Sequence, residues 1–157
     1  MHYIKLGLWI FILTLLYAMG IFIVFGFYPE LLFLFSCAYS PIAATFKERI
    51  GVLLVCGVLM SAFGGYGFVF SMLLVTYVSF LFGHIFKGKL LKYNIFMIIA
   101  VMVITFVYDG VFGLLKNGFS ADILYPIFCA SIVNGVFAGI LNPLIKRTFK
   151  EKERYIF

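Results

Sequence analysis

The sequence predicts an all-α integral membrane protein with six transmembrane helices, two of them short, and with both termini in the cytoplasm. Of its 157 residues, 65% are apolar and 11% are charged, whereas soluble domains carry about 25% charged residues. Mean hydropathy is +1.17. The apolar residues fall in long runs, several of them near the ~20 residues that cross about 30 Å of hydrocarbon. The chain therefore lacks the polar surface of a soluble globule.

Six apolar runs are separated by short breaks that hold charges, a proline or paired glycines, which end helices or are costly in lipid. The runs cover residues 6–28, 31–46, 50–63, 66–86, 93–115 and 123–145, and residues 146–157 follow as a basic cytoplasmic tail of this single membrane domain. Because the first run is longer than the roughly 7 to 15 apolar residues of a secretion signal, we expect it to be retained as a helix.

The second and third runs are short for membrane spans, at about 24 and 21 Å as helices. A re-entrant hairpin is therefore the alternative to two short spans. Lys47, Glu48 and Arg49 lie between the two runs. At the tip of a hairpin these charges would lie at membrane depth, at about 2.5 to 3.5 kcal/mol each. Two spans place them in water, so we favour two spans.

Basic residues fall almost entirely on one side of this topology. Eleven of the 12 lie on the side of the two termini, and Lys116 alone lies on the other. Short segments rich in Lys and Arg stay in the cytoplasm. Both termini are therefore predicted to be cytoplasmic.

Two polar residues are predicted deep inside spans. Asp109 lies in the fifth run, and an ionisable group at that depth marks either a site for a proton, a cation or a partner helix, or an interhelical hydrogen bond. Asn134 lies at the middle of the sixth run. We expect both side chains to serve helix packing or partner contact, with ligand binding as the alternative.

Small residues recur at every fourth position in two of the runs. Ser131, Gly135 and Gly139 share one face of the sixth run, and Gly57, Ser61 and Gly65 repeat this spacing from the third. Helices in lipid associate through tight packing, and small residues permit close approach of the backbones. These six positions, with Asp109 and Asn134, are the candidate helix-packing or partner-binding residues.

The sequence predicts no enzyme, with no catalytic, cofactor-binding or metal-binding residues. The three cysteines have no paired spacing, the two histidines have no cysteine or carboxylate cluster beside them, and no phosphate-binding glycine motif occurs. The serines inside the apolar runs have no histidine at a similar depth.

From Arg49 to its end the chain resembles the MreD family, small multi-span subunits of the machinery that elongates the wall of rod-shaped bacteria. The resemblance lies in the glycine-bearing segment 57–67, the helix 71–86 before a basic loop, Phe106-Val-Tyr-Asp109, and Ile132-Val-Asn-Gly135 before a basic tail. Many members carry an acid in the glycine-bearing segment near the position of Ser61, so no role of that acid is transferred.

The resemblance implies a non-enzymatic scaffold of the elongasome in the bacterial cytoplasmic membrane, which helps to organise peptidoglycan synthesis and cell shape. The implied partners are the bitopic protein MreC and, through it, actin-like MreB, the polymerase RodA and a penicillin-binding transpeptidase. The MreD fold is also similar to the six-helix S components of energy-coupling-factor transporters. The alternative function is therefore a substrate-binding subunit for a vitamin or metal, which needs a pocket with convergent polar groups.

Overall fold

The computed structural model describes residues 2–24, 26–27, 29–43, 45–63, 84, 88, 92–118 and 121–149. Within these ranges the chain is helical, and its one β-type pairing is an isolated bridge between Val24 and Phe27. The helices are α1 (His2–Ala18), α2 (Leu31–Tyr39), α3 (Phe46–Phe63), α4 (Asn94–Asn117) and α5 (Leu124–Phe149), with a 3-10 turn at Ala121–Ile123.

The prediction of six transmembrane helices is wrong, because only two helices in the described ranges are long and apolar enough to cross a bilayer. They are residues Asn94–Leu115 of α4 and the whole of α5, Leu124–Phe149. Their bounds lie close to the predicted runs 93–115 and 123–145. The predicted run 66–86 falls, apart from His84, outside the described residues.

The first predicted span fails because α1 ends ten residues before the apolar run does. Its 17 residues make a helix of about 25 Å, shorter than the ~30 Å of hydrocarbon. Gly20 follows with a φ of 61°, a conformation that side-chain-bearing residues rarely adopt. Val24 and Phe27 then pair across a tight turn, since β-branched and aromatic residues favour extended backbone over helix.

The second predicted span is a short helix enclosed by the rest of the fold. All nine residues of α2 are buried, and nine residues span only about 14 Å. α2 ends at Tyr39, and Ser40 follows as a C-cap that is still in the helical conformation. The helix does not continue because Pro41 has no backbone N–H to extend the hydrogen-bond ladder. An all-apolar short helix is stable only when other elements surround it, and α1, α3 and α5 pack around α2.

The third predicted span begins earlier than expected. α3 starts at Phe46, so Lys47, Glu48 and Arg49 form its first turn, where a loop was predicted. Three charges in an 18-residue helix make α3 too polar to count with the two membrane-length helices. The charged triplet therefore belongs to a helix that packs on α2.

α4 and α5 form an antiparallel hairpin whose outer faces are apolar and exposed. Only 28% of the apolar window of α4 and 39% of that of α5 is buried within the chain. Large apolar side chains on the exposed faces include Ile95, Val103, Leu115, Phe128 and Ile140. Core helices of a soluble fold would be mostly buried, so this exposure supports association with a membrane.

The charged side chains that the structure describes divide between two ends of the bundle. His2 contacts both Tyr39 and Phe149, so the start of α1 and the ends of α2 and α5 meet. Among the described side chains this end carries Lys5, Lys47, Arg49, Lys92, Lys146 and Arg147 with one acid, Glu48, and we call it the basic end. The opposite end carries Glu30, Asp109 and Asp122 among the side chains that the structure describes, and we call it the acidic end.

Candidate functional site

Two of the predicted glycines lie on α5 directly against side chains of α4. A Cβ atom on Gly135 would lie 2.4 Å from Cγ of Met102, and one on Gly139 would lie 2.9 Å from Cδ1 of Ile98. Neither distance leaves room for a methyl group unless α4 side chains move. Ser131, on the same face, donates its hydroxyl to the Ile127 carbonyl at 2.8 Å and so satisfies it within α5.

Asn134 joins three parts of the chain. Its Oδ1 accepts a hydrogen bond from the Glu30 backbone N–H at 2.9 Å, and its Nδ2 donates to Oγ1 of Thr105 at 3.4 Å. Asn134 is 2% exposed and Thr105 is fully buried. A buried N–H without an acceptor is costly, so Asn134 fixes the start of α2 against the α4–α5 hairpin.

A second amide bridge connects α4 and α5 nearer the basic end. Asn94 donates from Nδ2 to the Gly139 carbonyl at 3.0 Å, and its Oδ1 accepts from Nδ2 of Asn142 at 2.7 Å. The sequence analysis did not single out these two asparagines. They lie near the ends of apolar runs, where polar side chains are common because they reach the membrane–water interface.

Asp109 is half-buried beside the buried Tyr108. The sequence placed Glu30 in a break between spans, whereas the structure buries it next to the Asn134 bond. Glu30 and Asn134 therefore meet at the start of α2.

Two of the three remaining predicted positions, Gly57 and Ser61, lie in α3. Gly57 lies on its buried face with Leu53 and Met60, and Ser61 is half-buried. Gly65 lies outside the described residues. The α3 positions and the α5 positions thus belong to different helix contacts, and the structure does not bring them together in one site.

A polar network at the basic end escaped sequence reasoning. His2 Nε2 lies 2.5 Å from Oε1 of Glu48 and 2.9 Å from the Tyr39 hydroxyl, which donates to the same Oε1 at 2.8 Å. The side chains of His2 and Glu48 are only 16% and 7% exposed. Burial and the bond to Glu48 raise the pKa of the Tyr39 hydroxyl well above its usual range, so Tyr39 acts as a neutral donor.

We expect Tyr39→Phe to lower the free energy of unfolding by about 1 kcal/mol, because it removes one buried hydrogen-bond donor and keeps the ring. The Tyr39 ring stacks on the Phe35 ring with 5.7 Å between ring centroids, and it meets the Phe149 ring edge-on with 5.1 Å between centroids. Thermal unfolding in mild detergent measures the change, with the exposed Tyr3→Phe as the matched control. Equal melting temperatures for both variants would show that the Tyr39 hydroxyl is not part of a stabilising network.

The exposed face of α4 and α5 holds an apolar groove of about 290 Å³ near the acidic end. We call it the α4–α5 groove, and it is lined by Phe106, Val107, Gly110, Val111, Leu114, Ile123, Leu124 and Ile127. A Cβ atom on Gly110 would have nothing within 4 Å, so this glycine leaves the groove open. Asp109 precedes it in the sequence. Because all the lining residues are small or apolar, composition alone could not single them out.

Comparisons of the chain with known protein families, with curated proteins and with solved structures find no match. The described residues define a helical protein with two membrane-length helices, which are joined by small-residue packing and buried amides.

Proposed function

We propose that this chain is a non-enzymatic scaffold subunit of the MreD type in the bacterial cytoplasmic membrane, with α4 and α5 crossing the bilayer as a hairpin. It binds an MreC-like bitopic protein and, through it, MreB, RodA and a penicillin-binding transpeptidase. The MreD-like order of motifs supports the family, and the exposed apolar faces of α4 and α5 support the membrane location.

The observation that carries this proposal is the α4–α5 groove. It opens on the outer face of the hairpin, where lipid or another helix is the neighbour, and it has an entirely apolar lining. Helices in lipid associate through close packing of side chains into such recesses, especially beside glycine. Gly110 lets the backbone of a second helix approach α4, with Val107 and Val111 on either side. The single transmembrane helix of an MreC-like protein has the matching chemistry.

We expect Gly110→Leu to reduce co-purification of the MreC-like partner about fivefold or more, because the new side chain fills the groove. The measurement is the partner-to-bait ratio after extraction in mild detergent. Gly51→Leu is the matched control, since Gly51 is an exposed helical glycine of α3 that also has nothing within 4 Å. An equal loss in both variants, or no loss in either, would contradict docking in this groove.

The same purification tests the proposal against the transporter alternative. Recovery of a bound vitamin together with a coupling ATPase, and without an MreC-like protein, would contradict the scaffold function. It would favour a substrate-binding subunit, for which the residues around Asn134 would be the first place to look for the ligand.

A further inference from the structure

The chain that follows α1 reaches only to the middle of α5. At the basic end the ring of His2 meets the ring of Phe149, with 5.4 Å between ring centroids. Just after α1, the ring of Phe22 meets the ring of Phe137 edge-on, with 5.6 Å between centroids. Phe137 lies near the middle of the 26 residues of α5, about 18 Å along the helix axis from Phe149. α1 therefore begins at the basic end, and the bend behind it lies half-way along α5.

α2 returns the chain to the basic end. The backbone N–H of Glu30, the N-cap of α2, donates to Oδ1 of Asn134, which lies at the centre of the apolar run 123–145. At the other end of α2, the hydroxyl of Tyr39 lies 2.9 Å from Nε2 of His2. The start of α1 and the end of α2 thus lie on the same side. We call α1, α2 and the described residues between them the α1–α2 hairpin.

The exposed surface of the α1–α2 hairpin is apolar. From Ile4 to Ile23, every exposed residue that the structure describes has an apolar side chain or is glycine. A helix that faces water carries polar residues on its exposed face, so this surface fits hydrocarbon. The exposed side chains include Leu8, Phe11, Ile12, Leu15, Met19 and Ile21.

This surface continues onto the exposed face of α5. Phe22, which is 37% exposed, contacts the half-buried Phe137, and exposed Val136 precedes Phe137 in α5. The neighbour that covers the outer face of α5 therefore also reaches the hairpin. If α5 crosses a bilayer, that neighbour is lipid, and the bend lies near the middle of the hydrocarbon layer.

The backbone of the bend is suited to that depth, because non-helical backbone in a bilayer needs partners within the protein. The N–H groups of Met19 and Gly20 donate to carbonyls of the last turn of α1, at 2.9 and 3.1 Å. Val24 and Phe27 exchange two hydrogen bonds, both of 3.0 Å. Pro29 has no N–H to satisfy. These hydrogen bonds replace the contacts with water that a bend at the surface would make.

We propose that the α1–α2 hairpin is a re-entrant membrane element whose exposed α1 face contacts lipid acyl chains. It enters the bilayer at the basic end, bends near the middle and leaves on the side where it entered. The inference rests on the membrane location in the proposed function and is independent of the MreC-like partner. It gives the short, all-apolar α2 its place, between the lipid-facing α1 and the membrane-crossing α5.

The test measures depth in the bilayer with a single tryptophan in the full chain, reconstituted into phosphatidylcholine vesicles. Trp9 is the chain's one tryptophan, so Trp9→Phe provides the background. Ile21→Trp is placed in the bend and Ile4→Trp near the start of α1, at positions 53% and 74% exposed. Phosphatidylcholine that is brominated either near the ends of its acyl chains or near its headgroup quenches the fluorescence. Val136→Trp, on the exposed face of α5, is the control for mid-bilayer depth.

We expect Ile21→Trp to be quenched about twofold or more strongly by the chain-end bromines than by the headgroup bromines, as Val136→Trp is. Ile4→Trp is expected to show the opposite preference. If Ile21→Trp is instead quenched mainly by the headgroup bromines, the bend reaches a membrane surface and the hairpin is not re-entrant. If neither lipid quenches Ile21→Trp, protein or water covers the face and the proposal is wrong.

The control separates this proposal from the membrane location on which it rests. Deep quenching of Val136→Trp without deep quenching of Ile21→Trp contradicts the re-entrant hairpin alone. Absence of deep quenching from both contradicts the membrane location as well. If Ile21→Trp does not fold, Ile23→Trp, at a position 51% exposed in the same bend, decides by the same criterion. Loss of the MreC-like partner in Gly110→Leu has no bearing on these depth measurements.

Discussion

Asn134→Leu is expected to lower the free energy of unfolding by about 2 to 4 kcal/mol, because it leaves two buried polar groups without their partner. The Glu30 backbone N–H loses its acceptor at 2.9 Å, and the Thr105 hydroxyl loses its donor at 3.4 Å. Neither group is reached by water, since Glu30 and Thr105 are both buried. The start of α2 should then detach from the α4–α5 hairpin. Thermal unfolding in mild detergent, followed by circular dichroism, measures the loss.

Asp109→Asn is the comparison that separates packing from proton chemistry. It keeps the shape of the side chain and removes only the ionisable group, and Asp109 is half-buried. We expect it to change stability by less than about 1 kcal/mol and to keep partner binding. If Asp109→Asn abolishes function while Asn134→Leu is tolerated, the function depends on ionisation of the Asp109 carboxyl. The interpretation that both side chains serve helix packing is then wrong.

Gly135→Leu is expected to separate α4 from α5 and to cost about 1 to 3 kcal/mol or more. Even the first atom of the new side chain would lie 2.4 Å from Cγ and 2.9 Å from Sδ of Met102. Cγ lies close to the helix backbone, so relief of the overlap requires a new χ1 rotamer of Met102 or a shift of α4. The unfolding temperature in detergent measures the effect, and protease sensitivity of the α4–α5 connection provides a second measurement.

A double-mutant experiment tests whether the destabilisation arises from overlap between residue 135 and Met102. Met102→Ala removes the overlapping atoms, so Gly135→Ala should be less destabilising in the Met102→Ala background than in the wild type. Gly110→Ala is the matched control, because its Cβ meets nothing within 4 Å and alanine favours helix over glycine. Strictly additive effects of Gly135→Ala and Met102→Ala would contradict close packing of these two residues.

Sequence alone located the two helices that are both long and uninterrupted. α4 and α5 contain about 20 apolar residues without a break, so their bounds follow from local composition. The same criterion failed for α1, because hydropathy does not register that Gly20 takes a positive φ and that extended residues follow it. It also failed for α2, whose apolar residues face the other helices of the bundle. Hydropathy cannot separate burial in protein from burial in lipid.

Some site residues were predictable from a local sequence pattern, whereas the roles of others depend on contacts between distant parts of the chain. The four-residue period of Gly135 and Gly139 is a local signal, and the structure places both against α4. The acceptor role of Asn134 for Glu30 joins residues 104 positions apart, which no local pattern encodes. The burial of Arg49 could have been predicted from the sequence. Helical spacing puts Arg49 on the same face as Leu53 and Cys56, which are buried. The charged triplet was interpreted as one exposed unit, and the structure exposes only Lys47 fully.

The most direct test of the scaffold function is photo-cross-linking in intact cells from a photoreactive amino acid placed at Val111 in the α4–α5 groove. The same residue at Leu54, an exposed position on α3, is the control. The proposed function predicts a covalent adduct between the Val111 variant and the MreC-like single-span protein, and none from Leu54. An MreC-like adduct from Leu54 alone would contradict docking in the groove, and the absence of that adduct from both positions would contradict the scaffold function.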